Sequence, residues 1–415
     1  MSIKQFNNND LIFTESQNIG HFSIQGEGVT ITQTKNHINH LSIREKRVLI
    51  AIQEKPKANF DKLAEMTGLS KSVVFGIVKK LEGPPDSLPY FSVKSLPHLK
   101  NLGLEFVNVI IKADSEKKLQ FIQKIADEYP YCTLYNRTFG DTNGMFIQMR
   151  NPIGSINLIQ KLFQKSKNSG YIDDFSILPF LSQPIYSKIQ INAWDPESLS
   201  WDFSWKEWFE EEIIPSNLPS KLSLKKSSGN GNIKSWLKSQ DIAILGELYW
   251  NARRKNSEMI ARLKKRRWDI TGPTFSRRLK MIKDECIETN RAFLHPKHFD
   301  ILNTFLIWGY GDEKELQNIK TRMELNPIPF QSTLRIENFK LFWYLHLPTT
   351  HMSDLLFYLR PKLVEFHLNY IDHPRTKTYL LNTEAWDEKK QTWKIDEDYC
   401  INQVLGSLKS DKIIN

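Results

Sequence analysis

Apolar positions along this chain switch between a helical and a strand period in a fixed order, and that order is written twice. Ser42-x-x-Glu45 is a capping box that opens a helix ending before Pro56. A second helix is predicted from Asp61 to Thr67, stopped by Gly68, and a third from the N-cap Ser70 to near Gly83. Strand, helix, strand, strand, helix and strand patterns follow, at Val107–Ile111, Ser115–Asp127, Cys132–Thr138, Met145–Met149, Ile156–Phe163 and Tyr171–Leu178. The two middle strands are joined across Gly140-Asp-Thr-Asn-Gly144, a hairpin turn sequence. The second cycle predicts helices at Ile242–Asn251, Ser257–Lys265 and Thr271–Asp284. Its strands are expected at Thr304–Trp308, Ser332–Ile336, Leu341–His346 and Glu365–Ile371, with helices at Glu313–Met323 and Met352–Leu363. The expected fold class is therefore α+β, with two helix-turn-helix units and two ferredoxin-like βαββαβ units in duplicated order. A tryptophan phrase closes each cycle. Ala193-Trp194-Asp195 leads to Trp201, and Ala385-Trp386-Asp387 leads to Trp393, with the same step of seven.

These patterns divide the chain into an N-terminal extension at 1–40 (a possible hairpin within 11–34), a helix-turn-helix with linker strand at 41–103, and a ferredoxin-like domain with a Trp-rich extension at 104–214. A flexible linker at 215–237, centred on the Ser, Gly and Asn of 227–232, leads to a second helix-turn-helix at 238–298 and a second ferredoxin-like domain at 299–415. A chain of 415 residues suits three or four domains of ordinary size. No apolar run approaches a bilayer span, the polar, Asn-rich start is unlike a secretion signal, and the three cysteines are isolated. The expectation is a cytoplasmic protein with no membrane partner.

Charge sharpens the reading. The net charge is +10, but Lys238–Lys283 alone carries 13 basic against 4 acidic residues, and Ser42–Gly83 carries 9 against 5, so the remainder is −3. Positive charge gathered on two equivalent helical segments is the footprint of a polyanion partner. In the first unit Leu69, Val74, Ile77, Val78 and Leu81 form the inner stripe of the third helix. Its outer face carries Ser72, Gly76, Lys79 and Lys80, with Lys71 at the start. Gly76 costs about 1 kcal/mol of helix propensity, so either DNA backbone comes close there or the helix is imperfect. In the second unit Ile270, Phe275, Leu279 and Ile282 face inward. Thr274, Arg277, Lys280 and Lys283 face outward, with Arg278 at the edge, and Arg277 is placed to reach guanine. Arg262, Lys264, Lys265, Arg266 and Arg267 form a candidate phosphate-binding cluster. Trp268-Asp269 lengthens the turn, and no glycine stands where Gly68 does.

The stretch Leu63–Glu82 resembles the helix-turn-helix of the Lrp/AsnC (feast/famine) family of transcription regulators. Tyr90 to Gly103 is similar to the family's linker strand, and Gly140-Asp141-Thr142-Asn143 to its Gly-Asp-x-Asp loop, with Asn143 in place of the second acid. The second copy is looser: Phe293-Leu-His-Pro296 stands for the linker and Arg335-Ile-Glu-Asn338 for the loop. The resemblance implies double-stranded DNA as partner and effector sheets packed face to face as an intramolecular pseudo-dimer. It also implies an amino-acid-like effector near Gly140–Asn143. It implies no cofactor and no catalysis. Two other classes share the pattern: an enzyme resembling siroheme decarboxylases, built on the same architecture, and an assembly protein with a purely structural helix-turn-helix. The Trp-rich segment from Trp194 to Phe209 reads as packing. His295-x-x-His298 and His37-x-x-His40 lack a third ligand by spacing, so no metal site is expected.

Overall fold

A computed structural model describes residues 13–14, 41–84, 87–180, 182–212 and 233–410. The hairpin expected within 11–34 and most of the linker expected at 215–237 lie outside the described residues.

The first three helices form where the caps place them. α1 (Ile43–Glu54) opens on the Ser42–Glu45 capping box, α2 (Phe60–Thr67) is capped by Asn59, and α3 (Lys71–Glu82) is capped by Ser70. Gly68 ends α2 in the left-handed region at φ 67°. After β1 (Phe91–Pro97) comes the first βαββαβ unit: β2 (Leu104–Lys112), α4 (Glu116–Glu128), β3 (Cys132–Gly140), β4 (Gly144–Pro152), α5 (Ile156–Asn168) and β5 (Asp174–Phe180). A short β6 (Ile185–Ser187) and α6 (Trp205–Glu210) follow. The cycle then recurs with α7 (Ser239–Trp250), α8 (Asn256–Lys265), α9 (Gly272–Met281) and β7 (Ile287–Leu294). The second βαββαβ unit is β8 (Asn303–Gly311), α10 (Glu313–Leu325), β9 (Ser332–Glu337), β10 (Lys340–Leu347), α11 (Met352–Leu359) and β11 (Leu363–Ile371), and α12 (Gln403–Ser410) lies near the C-terminus.

Both βαββαβ units merge into one antiparallel sheet of eleven strands: nine follow the path β5-β2-β4-β3-β11-β8-β10-β9-β6, and the two-residue strands Lys377–Thr378 and Phe13–Thr14 add beside β3. The inner faces also pack on each other. Ile110, Phe146, Leu178 and Phe180 of the first unit meet Leu306, Trp308, Phe342 and Ile371 of the second, and the rings of Phe146 and Phe342 are 5.9 Å apart. The face-to-face pseudo-dimer expected from the resemblance is thus present. To it is added a direct edge joint, β3 to β11, over Thr138–Gly140 and Asn369–Ile371.

The modules are woven crosswise. The first helix-turn-helix shares a core with the helices of the second βαββαβ unit, through Val48, Leu63, Val74 and Val78 on one side and Leu316, Ile319 and Leu355 on the other. The second helix-turn-helix shares a core with the first unit in the same way, through Leu263, Phe275 and Leu279 with Ile122, Ile125 and Leu162. β1 and β7 pair antiparallel from Phe91↔Leu294 to Ile287↔Pro97 and tie the two units together.

The tryptophan phrases clamp this crossing. Each forms a two-residue ladder, Trp194↔Trp201 and Trp386↔Trp393, closed by a left-handed residue at the same place, Leu199 at φ 52° and Gln391 at φ 52°. Trp194 Nε1 donates to Asp300 of the second module at 3.1 Å, and Trp393 Nε1 donates to the Leu102 carbonyl of the first at 2.7 Å. The expectation of packing holds, with the opposite module as the surface packed upon.

Candidate nucleic-acid interface

In the first helix-turn-helix the apolar stripe of α3 is buried at Val74, Val78 and Leu81, which turns the opposite face to solvent. Lys71, Ser72, Gly76, Lys79 and Lys80 are all exposed there. The lysines already have internal partners: Lys71 meets Asp61 at 2.9 Å, Lys79 meets Glu82 at 2.6 Å and Lys80 meets Glu45 at 2.6 Å. A Cβ added at Gly76 would meet nothing within 4 Å, so packing inside the chain gives no reason for glycine there. Phe75 was not singled out in the sequence. It is 49% exposed on this face, and its ring stands edge-on to Phe60 at 5.3 Å. Its signal was an aromatic residue one position off a stripe already filled by Val74 and Val78.

In the second helix-turn-helix Phe275, Leu279, Ile270 and Ile282 are buried, as their spacing predicted. The missing glycine has a substitute: Arg267 adopts φ 65° where Gly68 adopts 67°. Lys264, Lys265, Arg267, Arg277, Lys280 and Lys283 are exposed. Thr274 is half-buried, with its hydroxyl 3.0 Å from that of Thr271.

Three of the candidate DNA contacts already grip buried carboxylates inside the chain, although the Arg262 side chain stays 39% exposed. Arg262 and Arg266 converge with Arg254 on the carboxylate of Glu247, whose side chain is only 2% exposed. Arg278 forks onto the buried Asp241 and donates to the Trp236 carbonyl at 2.7 Å. A carboxylate inside a helical core is tolerated only when paired, so these arginines neutralise α7 from within. By spacing alone Arg262 to Arg267 form one basic run. Two acids a dozen or more residues upstream, Asp241 and Glu247, divide that run into an inner and an outer set.

The two helix-turn-helix units touch. Arg253 donates to the carbonyls of Pro56 at 3.0 Å and Ala58 at 2.9 Å.

The candidate effector loop lies at the β3–β11 seam between the two βαββαβ units. Asp141 N donates to the Leu368 carbonyl at 3.1 Å, and Leu368 N donates to Asp141 Oδ2 at 2.9 Å. Asn369 donates to the Thr142 carbonyl at 3.0 Å, and Asn143 Oδ1 accepts from Gly140 N at 3.4 Å. Gly140 holds φ 119°, and a Cβ there would stand 2.7 Å from the Leu368 oxygen. Glycine is needed at this position for the close approach of β11.

Among the described residues no group of three or more His, Cys, Asp or Glu is placed to hold a metal ion, and no helix is long and apolar enough to cross a membrane. His295 and His298 stand edge-to-face at 5.9 Å between ring centres. The pair His37 and His40 lies outside the described residues.

Residues 41–82 match the winged helix-turn-helix DNA-binding family. No curated protein matches the chain. Among solved structures, that of the siroheme decarboxylase NirDL in co-complex with an iron-uroporphyrin III analogue is similar over 88% of this chain and 99% of its own, at 13% identity and TM-score 0.47. The structure of E. coli AsnC is similar over 36% of this chain and 97% of its own, at 20% identity and TM-score 0.28. An AsnC family transcriptional regulator from Agrobacterium tumefaciens matches over 34% and 91%, at 19% identity and TM-score 0.28. The resemblance to Lrp/AsnC regulators read from the sequence holds for the order of elements, helix-turn-helix and then βαββαβ, twice over. The expectation that the chain is not an enzyme is withdrawn, because structures similar over 88% of it are those of a siroheme decarboxylase.

Proposed function

We propose that this chain is a transcription regulator of Lrp/AsnC type that binds duplex DNA through both helix-turn-helix units of one polypeptide. The observation that carries the reading is the outer face of the second unit. Lys264, Lys265, Arg277, Lys280 and Lys283 are exposed on α8, α9 and the turns beside them, and among the described residues none has an ion-pair partner. Solvent-facing cations with no partner on the recognition element suit phosphates, and Arg277 has the fork that reads guanine. The first unit contributes Lys71, Ser72, the bare backbone at Gly76, and Lys79 and Lys80 as weaker contacts, since each lysine must exchange a carboxylate for a phosphate. Thr274 and Arg267 flank this surface. An amino-acid-like effector remains part of the proposal. Its site cannot be the Gly140–Asn143 loop unless the β3–β11 seam opens, since the loop's polar groups are bound to β11. The test is binding of the full chain to random-sequence duplex across a salt series. Affinity that falls steeply with salt supports the reading, and absence of binding at low salt refutes it.

A further inference from the structure

Where the β1–β7 ribbon meets the sheet sandwich, the chain buries positive charge that it does not neutralise. Arg335 on β9 is 2% exposed and Arg150 on β4 is 4% exposed. Both guanidiniums share the ring of Phe106, at 4.4 and 6.0 Å from its centre, and Arg150 also stands 4.6 Å from the ring of Tyr249. Arg291 on β7 lies over Tyr186 at 4.1 Å and Phe293 at 5.1 Å, and Lys94 on β1 over Tyr249 at 5.6 Å and Phe293 at 5.8 Å. Lys94 and Arg291 are direct cross-strand partners, an arrangement that like charges normally avoid.

None of these four cations has a carboxylate within ion-pair distance among the described residues, although Glu247 and Asp241 elsewhere in the chain collect four arginines between them. Arg335 donates to the Ser182 carbonyl at 2.7 Å and Arg291 to the Ser187 carbonyl at 3.1 Å. The Nε atoms of Arg150 and Arg335 are buried with no hydrogen-bond partner. Glu288 is the acid whose charge reaches Arg335 most strongly, and burial pushes its carboxyl upward. Aromatic faces and the two carbonyls offset part of the cost of such burial, but a buried guanidinium with no carboxylate beside it stays expensive to desolvate.

The fold does not require these arginines, because the duplication provides an internal control. Phe146 and Phe342 hold the same place in the two units. Counting from them, Arg150 has His346 as its counterpart, each facing β2 or β8 at Phe106 and Thr304. Arg335 faces Phe342 as Asn136 faces Phe146. The pseudo-symmetric corner, built like this one from a residue of each unit, therefore forms with His346 and Asn136.

We propose that this cluster is a binding site for a small oxyanion, a molecule bearing carboxylate or phosphate groups that Arg150 and Arg335 grip together, with Arg291 and Lys94 adding charge. No proposed contact with DNA uses these residues, so the site stands or falls apart from that reading. Because the ribbon ties the two helix-turn-helix units together, an occupant here would be felt at both.

The test is thermal unfolding of the full chain in chloride, citrate or phosphate at matched ionic strength, for wild type, Arg335→Met and Arg150→His. Citrate and phosphate strengthen burial in any protein, so the readout is the shift in wild type beyond that in each variant. The proposal expects an extra upward shift in wild type that both variants lose. It also expects Arg335→Met to unfold in chloride no lower than wild type, since an apolar chain replaces an unpaired charge. The larger response, to citrate or to phosphate, assigns the acid group. Equal shifts in all three proteins, or none in wild type, overturn the site. Arg335→Met destabilised in chloride with no anion-specific shift in wild type makes the cluster purely structural. Should one variant fail to fold, the comparison of wild type with the other decides.

Discussion

Replacing Lys264 and Lys265 together with alanine removes two exposed cations at the end of α8 that have no ion-pair partner among the described residues. Each phosphate neutralised contributes a slope of about −0.9 to log K against log salt. If Lys264, Lys265, Lys280 and Lys283 each meet one phosphate, the slope from the second unit is about −3.6 and the double variant keeps about −1.8. Raising salt from about 50 to about 200 mM then weakens the intact interface about 150-fold and the variant about 12-fold. The assay is fluorescence anisotropy with one labelled duplex over that range. The two lysines sit outside the apolar core, so the unfolding temperature should hold. Arg266→Ala is the contrasting variant. It loosens the grip on Glu247, so it should lower the unfolding temperature and leave the salt slope of the folded protein unchanged. A double variant with the wild-type slope, or Arg266→Ala with a flattened one, would refute the division into outer and inner cations.

Glu247→Gln should destabilise the second helix-turn-helix by about 3–5 kcal/mol, because three arginines lose a buried counter-charge, and denaturant unfolding reads this directly. Gly76→Ala should stabilise the isolated protein by about 1 kcal/mol, since α3 gains propensity and the new Cβ meets nothing within 4 Å, yet it should weaken DNA binding if phosphate or base approaches that backbone; equal affinity would remove Gly76 from the interface. Burial, with the charges of His373 and His295, holds His346 neutral, well below its ordinary value of 6.5. The unfolded chain therefore takes up that proton first, so stability should be complete above pH 6.5 and fall below it, by up to about 1.4 kcal/mol per pH unit. His346→Gln should flatten that limb, and an unchanged profile would show that other groups govern it.

Local chemistry made most elements legible. Ser42–Glu45, Gly68 and Ser70 placed the first three helices within a residue or two, because caps act on the nearest turn. Alternation and the Gly140–Gly144 turn located the hairpin of the first sheet. Long-range partners were not legible. Nothing in the periodicity of Leu63 or Val74 says that they join the core that holds Leu316 and Leu355 of the other module rather than the core of their own. The inward arginines were misread for the same reason. Arg278 looks like an edge residue on a wheel of α9, and only the fold brings Asp241, 37 residues away, to its guanidinium. The likeness of Gly140–Asn143 to the family's loop carries no sign of its bonds to β11, since Leu368 and Asn369 lie more than 200 residues away. The buried charge at Arg150 and Arg335 was not legible, since Arg150 stands singly in its strand and Arg335, expected in a loop, lies within β9.

The central claim is that one chain reads DNA with two unlike helices. Selection of bound duplexes from a random pool by the full chain tests it most directly. The account predicts an asymmetric site with a required guanine on one side only, and Arg277→Ala should erase that preference while the other half-site stands, as a bidentate arginine–guanine contact is worth about 1–3 kcal/mol of discrimination. Recovery of perfect palindromes, or of no enriched duplex at all, would contradict it.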